Sequence, residues 1–336
     1  MLPFSAPPTI ARDRLIALLA AAAHQHVVIV GDAMLDVYLR GDVDRISPEA
    51  PVPVVRVRER RLALGGAANV AQNVAAMGAR CDLVCVIGDD VAGSTLRTHL
   101  EAGRMASRSL VAVARPTTTK TRVMARAQQL VRFDEEEDAD LSSTDVARVL
   151  AAIAQAMPDA SALVFEDYNK GVLVPAVIEG AIRLARARRV PIVVDPKFRN
   201  FFAYRGATVF KPNRRELESA LGAAVDLDHP EALPTTFARL GVEHLLLTLG
   251  EQGMALISAD GVVHRVPTTA REVYDVVGAG DTVTAALATM LAAGASVLEA
   301  AIIANYAAGV EVGKLGAATV SSDEIIEAYD RHLADG

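Results

Sequence analysis

The chain has 336 residues, 51% of them apolar, which is enough for one large buried core and suits a single domain with an appendage. A net charge of −7, an aromatic content of 4% and the lack of an extended basic stripe argue against a nucleic-acid partner, and no stretch is long and apolar enough to span a bilayer. Two cysteines and histidines without ligand spacing argue against a structural metal.

Near the start, Arg12 and Arg14 precede the apolar residues 15–23, which imitate a short signal peptide but also read as a buried or amphipathic first helix. The helix reading is preferred, and a cytoplasmic location with no membrane partner is expected. Short runs rich in Val, Ile and Leu follow at 27–30, 83–87, 162–165, 192–194, 208–210 and 245–249, alternating with helical patterns. Runs buried on both faces and separated by helices predict a mostly parallel sheet between helix layers, in an α/β/α sandwich. Ligands then gather at the carboxyl ends of the strands. Polar residues follow those ends at Gly31-Asp32, Gly88-Asp89-Asp90, Glu166-Asp167, Asp195-Pro196-Lys197, Lys211-Pro212-Asn213 and Thr248-Leu249-Gly250.

Two stretches break the alternation. Residues 37–64 hold Pro48, Pro51 and Pro53 beside a β-rich run, and 107–133 alternate polar and apolar residues without helical period. Both are expected as strands of a small β-lid inserted in a single domain covering 1–336. Cys81 and Cys85 share one strand face roughly 13 Å apart, too far for a disulfide. The acidic run Asp134-Glu135-Glu136-Glu137-Asp138 is expected as a solvated connector, and the basic residues of 183–189 as a wet helix face. Runs at 253–258 and 261–266, split by Ala259-Asp260-Gly261, predict a hairpin at a sheet edge.

The most informative segment is Asp275-Val276-Val277-Gly278-Ala279-Gly280-Asp281-Thr282, which leads into an apolar helix. Glycines at a helix start let free N–H groups converge on one point, where the helix dipole adds positive potential. That point suits a phosphate, and an acid set among the donors suits proton abstraction, so Asp281 is the candidate base and Gly278, Ala279 and Gly280 the candidate anion hole. The third glycine of a dinucleotide fingerprint would fall on Val283, and the stretch Gly309-Val310-Glu311-Val312-Gly313-Lys314-Leu315 is one residue short of a Walker A loop and lacks its hydroxyl.

Together with Gly65-Gly66-Ala67-Ala68-Asn69-Val70-Ala71, this segment resembles the paired signatures of the PfkB, or ribokinase-like, carbohydrate kinases. Within the family, the strings beginning at Gly31, Arg45, Pro116 and Val312 resemble the branch that phosphorylates D-glycero-β-D-manno-heptose 7-phosphate at O1, a step toward ADP-heptose and the lipopolysaccharide core. Longer members join that kinase to a nucleotidyltransferase; here the kinase alone is expected, because the chain stops shortly after its last helix at 321–333. Another sugar kinase or a silent sugar sensor are the alternatives.

The resemblance implies ATP and Mg²⁺, with potassium near Asp275 as an option. It assigns Asn213, Arg214, Arg215, Glu216, Thr248, Gly250, Gly253 and Asn305 to the nucleotide, with Glu216 meeting Mg²⁺ through water. Asn213 and Glu216 equally form a capping box. It also implies sugar contacts from Asp32, Asp36, Gly65, Gly66 and Asn69. Lys120, Arg122 and Arg126 on one extended face are expected to clasp the substrate's phosphate, while Lys197, Asp195 and Lys170 could act at the transferred one. Related kinases pair through their lids, so a homodimer is expected, with Val52, Val54, Val55, Val57, Val111 and Val113 on lid strands.

Overall fold

Six consecutive residues without an exposed side chain, β1 (His26–Gly31), belong in the middle of a sheet covered on both faces. The computed structural model describes residues 8–103, 105–126, 128–229 and 233–335. Around β1, the first half of the chain forms α1 (Arg12–Ala22), β2 (Ala33–Ile46), β3 (Pro53–Gly66), α2 (Ala67–Ala76), β4 (Arg80–Gly88), α3 (Val91–Ala102), β5 (Leu110–Val113), β6 (Thr119–Ala125), β7 (Gln128–Glu135) and α4 (Ser143–Ala156). The second half forms β8 (Ala162–Glu166), α5 (Pro175–Arg188), β9 (Ile192–Asp195), β10 (Val209–Phe210), α6 (Arg214–Leu221), α7 (Leu233–Leu240), β11 (His244–Thr248), β12 (Met254–Ser258), β13 (Val263–Val266), α8 (Ala279–Ala292), α9 (Val297–Glu311) and α10 (Ser322–Asp335).

The main sheet has nine strands in the order β13-β12-β11-β10-β9-β8-β1-β4-β5, parallel except for the hairpin β12–β13 at one edge. Because side chains alternate along a strand, β1 feeds two cores. Val27 and Ile29 pack with α1, α2, α8 and α9, and Val28 and Val30 pack with α4 and α5. The residues at 15–23 are a packed helix whose Leu15, Leu18 and Leu19 are buried, and Arg12 and Arg14 tie it to Asp330 and Glu299. Among the described residues no helix is long and apolar enough to cross a membrane. Cys81 and Cys85 are free and buried in β4.

A second sheet, in the order β3-β2-β6-β7, stands over the carboxyl ends of the central strands. It differs from the expected lid in its bounds. Its first strand starts at Ala33, with only Asp32 between it and β1, and its second half starts at Thr119. The stretch from 107 does not join it, because β5 pairs in parallel with β4 as the far edge of the main sheet. Val111 and Val113 are therefore buried in the main core and are not lid residues. The acidic run is also no free connector: Asp134 and Glu135 end β7, and Asp134 and Glu136 both pair with Lys120. Residue 127, inside the second expected lid stretch, lies outside the described residues.

No loop separates the lid from the main domain at one point. β3 ends on Gly66, and α2 starts at the next residue, Ala67, whose amide donates to the Asp32 carbonyl at 3.1 Å. Gly66 turns this corner at φ 57°, and a Cβ there would lie 2.4 Å from the Asp32 carbonyl oxygen, so only glycine fits.

Candidate active site

α8 is apolar or small on every side, which suits a helix buried between layers. Its N-terminus opens at the carboxyl ends of the central strands. Gly278 caps it at φ 98°, and a Cβ at that position would meet Glu311 Oε1 at 3.1 Å and Asn69 Nδ2 at 3.2 Å. Bare glycine lets the turn approach both groups and leaves the first amides of α8 without helix partners, as an anion site requires.

Asp281, in the first turn, is 6% exposed. Asn69 Nδ2 donates to its Oδ2 at 2.8 Å and the Tyr168 hydroxyl to its Oδ1 at 2.9 Å. Burial pushes its carboxyl up to about 6, assisted by the charge of Asp195 and opposed by Asn69, Tyr168 and Lys211. A buried carboxylate that is fixed by two donors and titrates near neutrality is suited to general-base work. Tyr168 stays a phenol, since burial and then the charge of Asp281 push it well above its ordinary value.

Below the helix start, Lys211 Nζ donates to Asp195 Oδ2 at 2.7 Å and lies 3.7 Å from where a Cβ on Gly280 would stand. Burial works to discharge this lysine, but Asp195 and Glu166 hold it above its ordinary value. It thus adds a fixed positive charge beside the helix dipole. Glu166 is fully buried, and neither of its carboxylate oxygens has a partner among the described residues. Glu166, Asp195 and Asp281 each place an oxygen within 4.8 Å of the others. Burial first, then the charges of Asp195 and Asp281, push the Glu166 carboxyl well above its ordinary value, a strain that a cation would relieve, and hard oxygen donors suit Mg²⁺.

Of the expected sugar residues, Asn69 lies against Asp281, and Gly65 lets Asp36 approach, since a Cβ there would lie 2.5 Å from Asp36 Oδ2. Asp36 also pairs with Arg122. Asp32 differs from the expectation: its carboxylate accepts the backbone amides of Tyr168, Lys170 and Val172, so it organises the loop that carries Tyr168. Lys170 reaches Glu136, away from the transferred phosphate's expected place. Lys120 pairs with Asp134 and Glu136. Arg126 is not on the strand face, because β6 ends at Ala125 after a register shift and Arg126 turns the chain at φ 54°.

On the nucleotide side, Asn213 and Glu216 form the capping box of α6, with both bonds at 2.9 Å. The other carboxylate oxygen of Glu216 pairs with Lys197, so the acid expected at the metal is engaged twice within the protein. Arg214 is half-buried and Arg215 exposed beside it. Thr248 bridges Asn213, and Gly250 and Gly253 turn the chain at positive φ just beyond. Asn305 is buried and donates to the Pro267 carbonyl at 2.8 Å, which gives it a role in holding that loop. Asp275 accepts the amides of Val277 and Gly316.

Sequence reasoning gave no role to Tyr168, Glu166 or Lys211, although Glu166 and Lys211 stand in strand-end strings and Tyr168 directly follows one. The available signal was that an acid or lysine ending a run buried on both faces must find a partner in the site.

Residues 24–324 match the pfkB family of carbohydrate kinases. The bifunctional protein HldE of Rhodospirillum rubrum is 45% identical over 314 residues, which cover 93% of this chain and 63% of that protein. HldE of Azorhizobium caulinodans is 46% identical over 322 residues, covering 94% and 67%. The chain thus spans 63% to 67% of the length of these two relatives. Among solved structures, Arabidopsis thaliana ribokinase complexed with ribose and ATP superposes with a TM-score of 0.70 at 19% identity, covering 90% of this chain and 98% of that one. Phosphofructokinase-2 of Escherichia coli in complex with potassium superposes at 0.74 and 20% identity, covering 91% and 98%. At these identities the likeness to the solved structures is one of fold.

Proposed function

This chain belongs to the pfkB family of carbohydrate kinases and has a ribokinase-like fold, and on that footing we propose that it transfers the γ-phosphoryl group of ATP to O1 of D-glycero-β-D-manno-heptose 7-phosphate. The products are the heptose 1,7-bisphosphate and ADP. The observation that carries the chemistry is Asp281, held by Asn69 and Tyr168 at the N-terminus of α8. The similarity to HldE proteins supports the heptose.

In this reading the sugar lies between the lid and α2, with Asp36 and Asn69 toward its hydroxyls. The O1 hydroxyl gives its proton to Asp281 as its oxygen bonds to the γ-phosphorus, and the bond from that phosphorus to the bridging oxygen breaks to release ADP. The amides of Ala279 and Gly280, the dipole of α8 and the ammonium of Lys211 meet the charge on the phosphoryl oxygens. Asn213, Thr248, Gly250 and Gly253 border the side from which the nucleotide enters. Glu166 and Asp195 are the residues that fit Mg²⁺, with Glu216 further out. When bound, that ion neutralises charge shared between the phosphates. A homodimer through the lids accords with the exposed Val43, Ile46, Val52 and Val57, and the reaction belongs in the cytoplasm, where ATP is.

The test is turnover on a panel. Heptose 7-phosphate should be phosphorylated at O1, while ribose, fructose 1-phosphate and tagatose phosphate should be poor acceptors. Turnover of a pentose or hexose with none of the heptose phosphate would reject the heptose and keep the kinase.

A further inference from the structure

We propose that Asn73 is a positioning residue that decides which end of the Asn69 amide faces Asp281. This deepens the kinase reading and rests on it for the part Asp281 plays; the orientation itself rests on hydrogen bonds. An asparagine amide can turn end for end with little change of shape, so its direction is read from neighbours whose own roles are fixed. Asn73, in α2 and fully buried, has two such neighbours. The Val320 backbone amide, which can only donate, lies 3.3 Å from its Oδ1, and the Asn69 backbone carbonyl, which can only accept, lies 3.1 Å from its Nδ2. Turned the other way, the side chain would set hydrogen against hydrogen and oxygen against oxygen.

That direction is passed on. Nδ2 of Asn73 also donates to Oδ1 of Asn69 at 3.3 Å, which claims the oxygen of that amide and leaves its Nδ2 to donate to Oδ2 of Asp281 at 2.8 Å. Oδ1 of Asn73 also accepts from the hydroxyl of Thr282, the residue next to the base, at 3.4 Å. All four hydrogen-bonding positions of the Asn73 amide are thus filled. Asp281 does not hold Asn69 this way by itself. As a carboxylate it attracts the NH₂ group, but once it has taken a proton it can donate, and a free amide would turn to accept. Held by Asn73, Asn69 offers Asp281 a donor both before and after proton transfer, and so always favours the ionised form.

The plainer account makes Asn73 a pin between α2 and the loop before α10. A pin needs only the oxygen that meets Val320. Yet both hydrogens of Nδ2 go to Asn69, one to its backbone and one to its side chain. The neighbours Val70, Ala71 and Val74 are fully buried as well, and alanine would suit the helix better at position 73, so the asparagine is there for its bonds.

The experiment uses the wild type, Asn73→Leu, Asn73→Ser, Asn69→Ala and the double variant Asn69→Ala with Asn73→Ser. Selective ¹⁵N labelling of the six asparagines gives six carboxamide pairs by NMR of the protein alone, and the Asn69 and Asn73 pairs are assigned by their loss in the variants. In the wild type the Asn69 pair should be sharp, with one proton far downfield. In both Asn73 variants it should move upfield and broaden, while the pairs of Asn169, Asn200, Asn213 and Asn305 stay in place. A lower melting temperature with the Asn69 pair unmoved would make Asn73 a pin and overturn the proposal. Asn73→Leu leaves the Val320 amide unpaired; should it not fold, Asn73→Ser leaves room for water there. A wild-type Asn69 pair that is already broad and undisplaced overturns the proposal without any variant. With heptose 7-phosphate, Asn73→Ser should lower kcat by about threefold to tenfold, the scale of one hydrogen bond, with KM for ATP kept. In the Asn69→Ala background it should lower kcat no further, and losses that multiply would overturn the route through Asn69. If the wild type does not turn over the heptose phosphate, that substrate is rejected, and the NMR signals alone uphold or overturn the role of Asn73.

Discussion

Tyr168 donates its hydroxyl hydrogen to Oδ1 of Asp281 at 2.9 Å, while the Tyr168 backbone amide donates to Oδ2 of Asp32 at 2.8 Å. One residue thus links the candidate base to the acid that shapes the loop after β8. Tyr168→Phe removes the first bond and keeps the second. Turnover should fall about tenfold, the scale of one hydrogen bond to a charged group. Because that bond favours the ionised base, its loss should also move the acidic limb of the pH profile upward. An unchanged limb would reject the positioning role.

Turnover should itself rise with pH and level off above the point set by Asp281, about 6, since only the carboxylate accepts the proton. Asp281→Asn should lower turnover by about 10²-fold or more, with sugar binding retained. Near-normal turnover by folded Asp281→Asn protein would remove Asp281 from the chemistry.

Glu166 offers a test that does not depend on catalysis. Mn²⁺ binding to the protein alone, followed by electron paramagnetic resonance, should weaken by about tenfold or more in Glu166→Gln, because a ligand with no other partner is lost. Equal affinity in the two proteins would leave Glu216 as the better candidate.

Glu311 is fully buried, and burial first, then the charges of Asp275 and Asp281, raises its carboxyl to about 8 from an ordinary 4.5. The folded protein therefore keeps a proton that the unfolded chain gives up. The stabilising contribution is complete below about pH 4.5 and drains away as pH climbs to about 8. Glu311→Gln has no such loss, so the melting temperature of the wild type should fall relative to this variant across that interval and run parallel to it above. Parallel curves throughout would show that Glu311 is charged in the folded state.

Light scattering at micromolar concentration should give twice the chain mass, and aspartate in place of the exposed Val52 and Val57 should give monomers with impaired sugar binding. A fully active monomer would reject the paired lids and leave the kinase chemistry standing.

The central strands, the edge hairpin and the helix start at Asp281 were legible because each rests on a local pattern: runs buried on both faces, a turn between alternating runs, and glycines before an apolar helix. β5 was not, since its four apolar residues sit in a longer stretch that alternates like lid strands and only pairing with β4 places them. Arg126 was misplaced for a related reason, because a two-residue period cannot foresee a register shift near Met124. Asp32 and Asp36 look equivalent in sequence, yet one faces three amides and the other an arginine. Tyr168 and Glu166 owe their positions to the closeness of β8 to α8, which no local pattern encodes.

The join at Gly66 and Ala67 makes the lid a lever on the base. β3 passes without slack into the helix whose third residue, Asn69, grips Asp281, so a tilt of the outer strands turns the first residues of α2 and shifts that grip. On the proposed reading, a sugar that drew the lid down would align the carboxylate as it arrived, and the expected sign of this coupling is slow ATP hydrolysis in the absence of sugar.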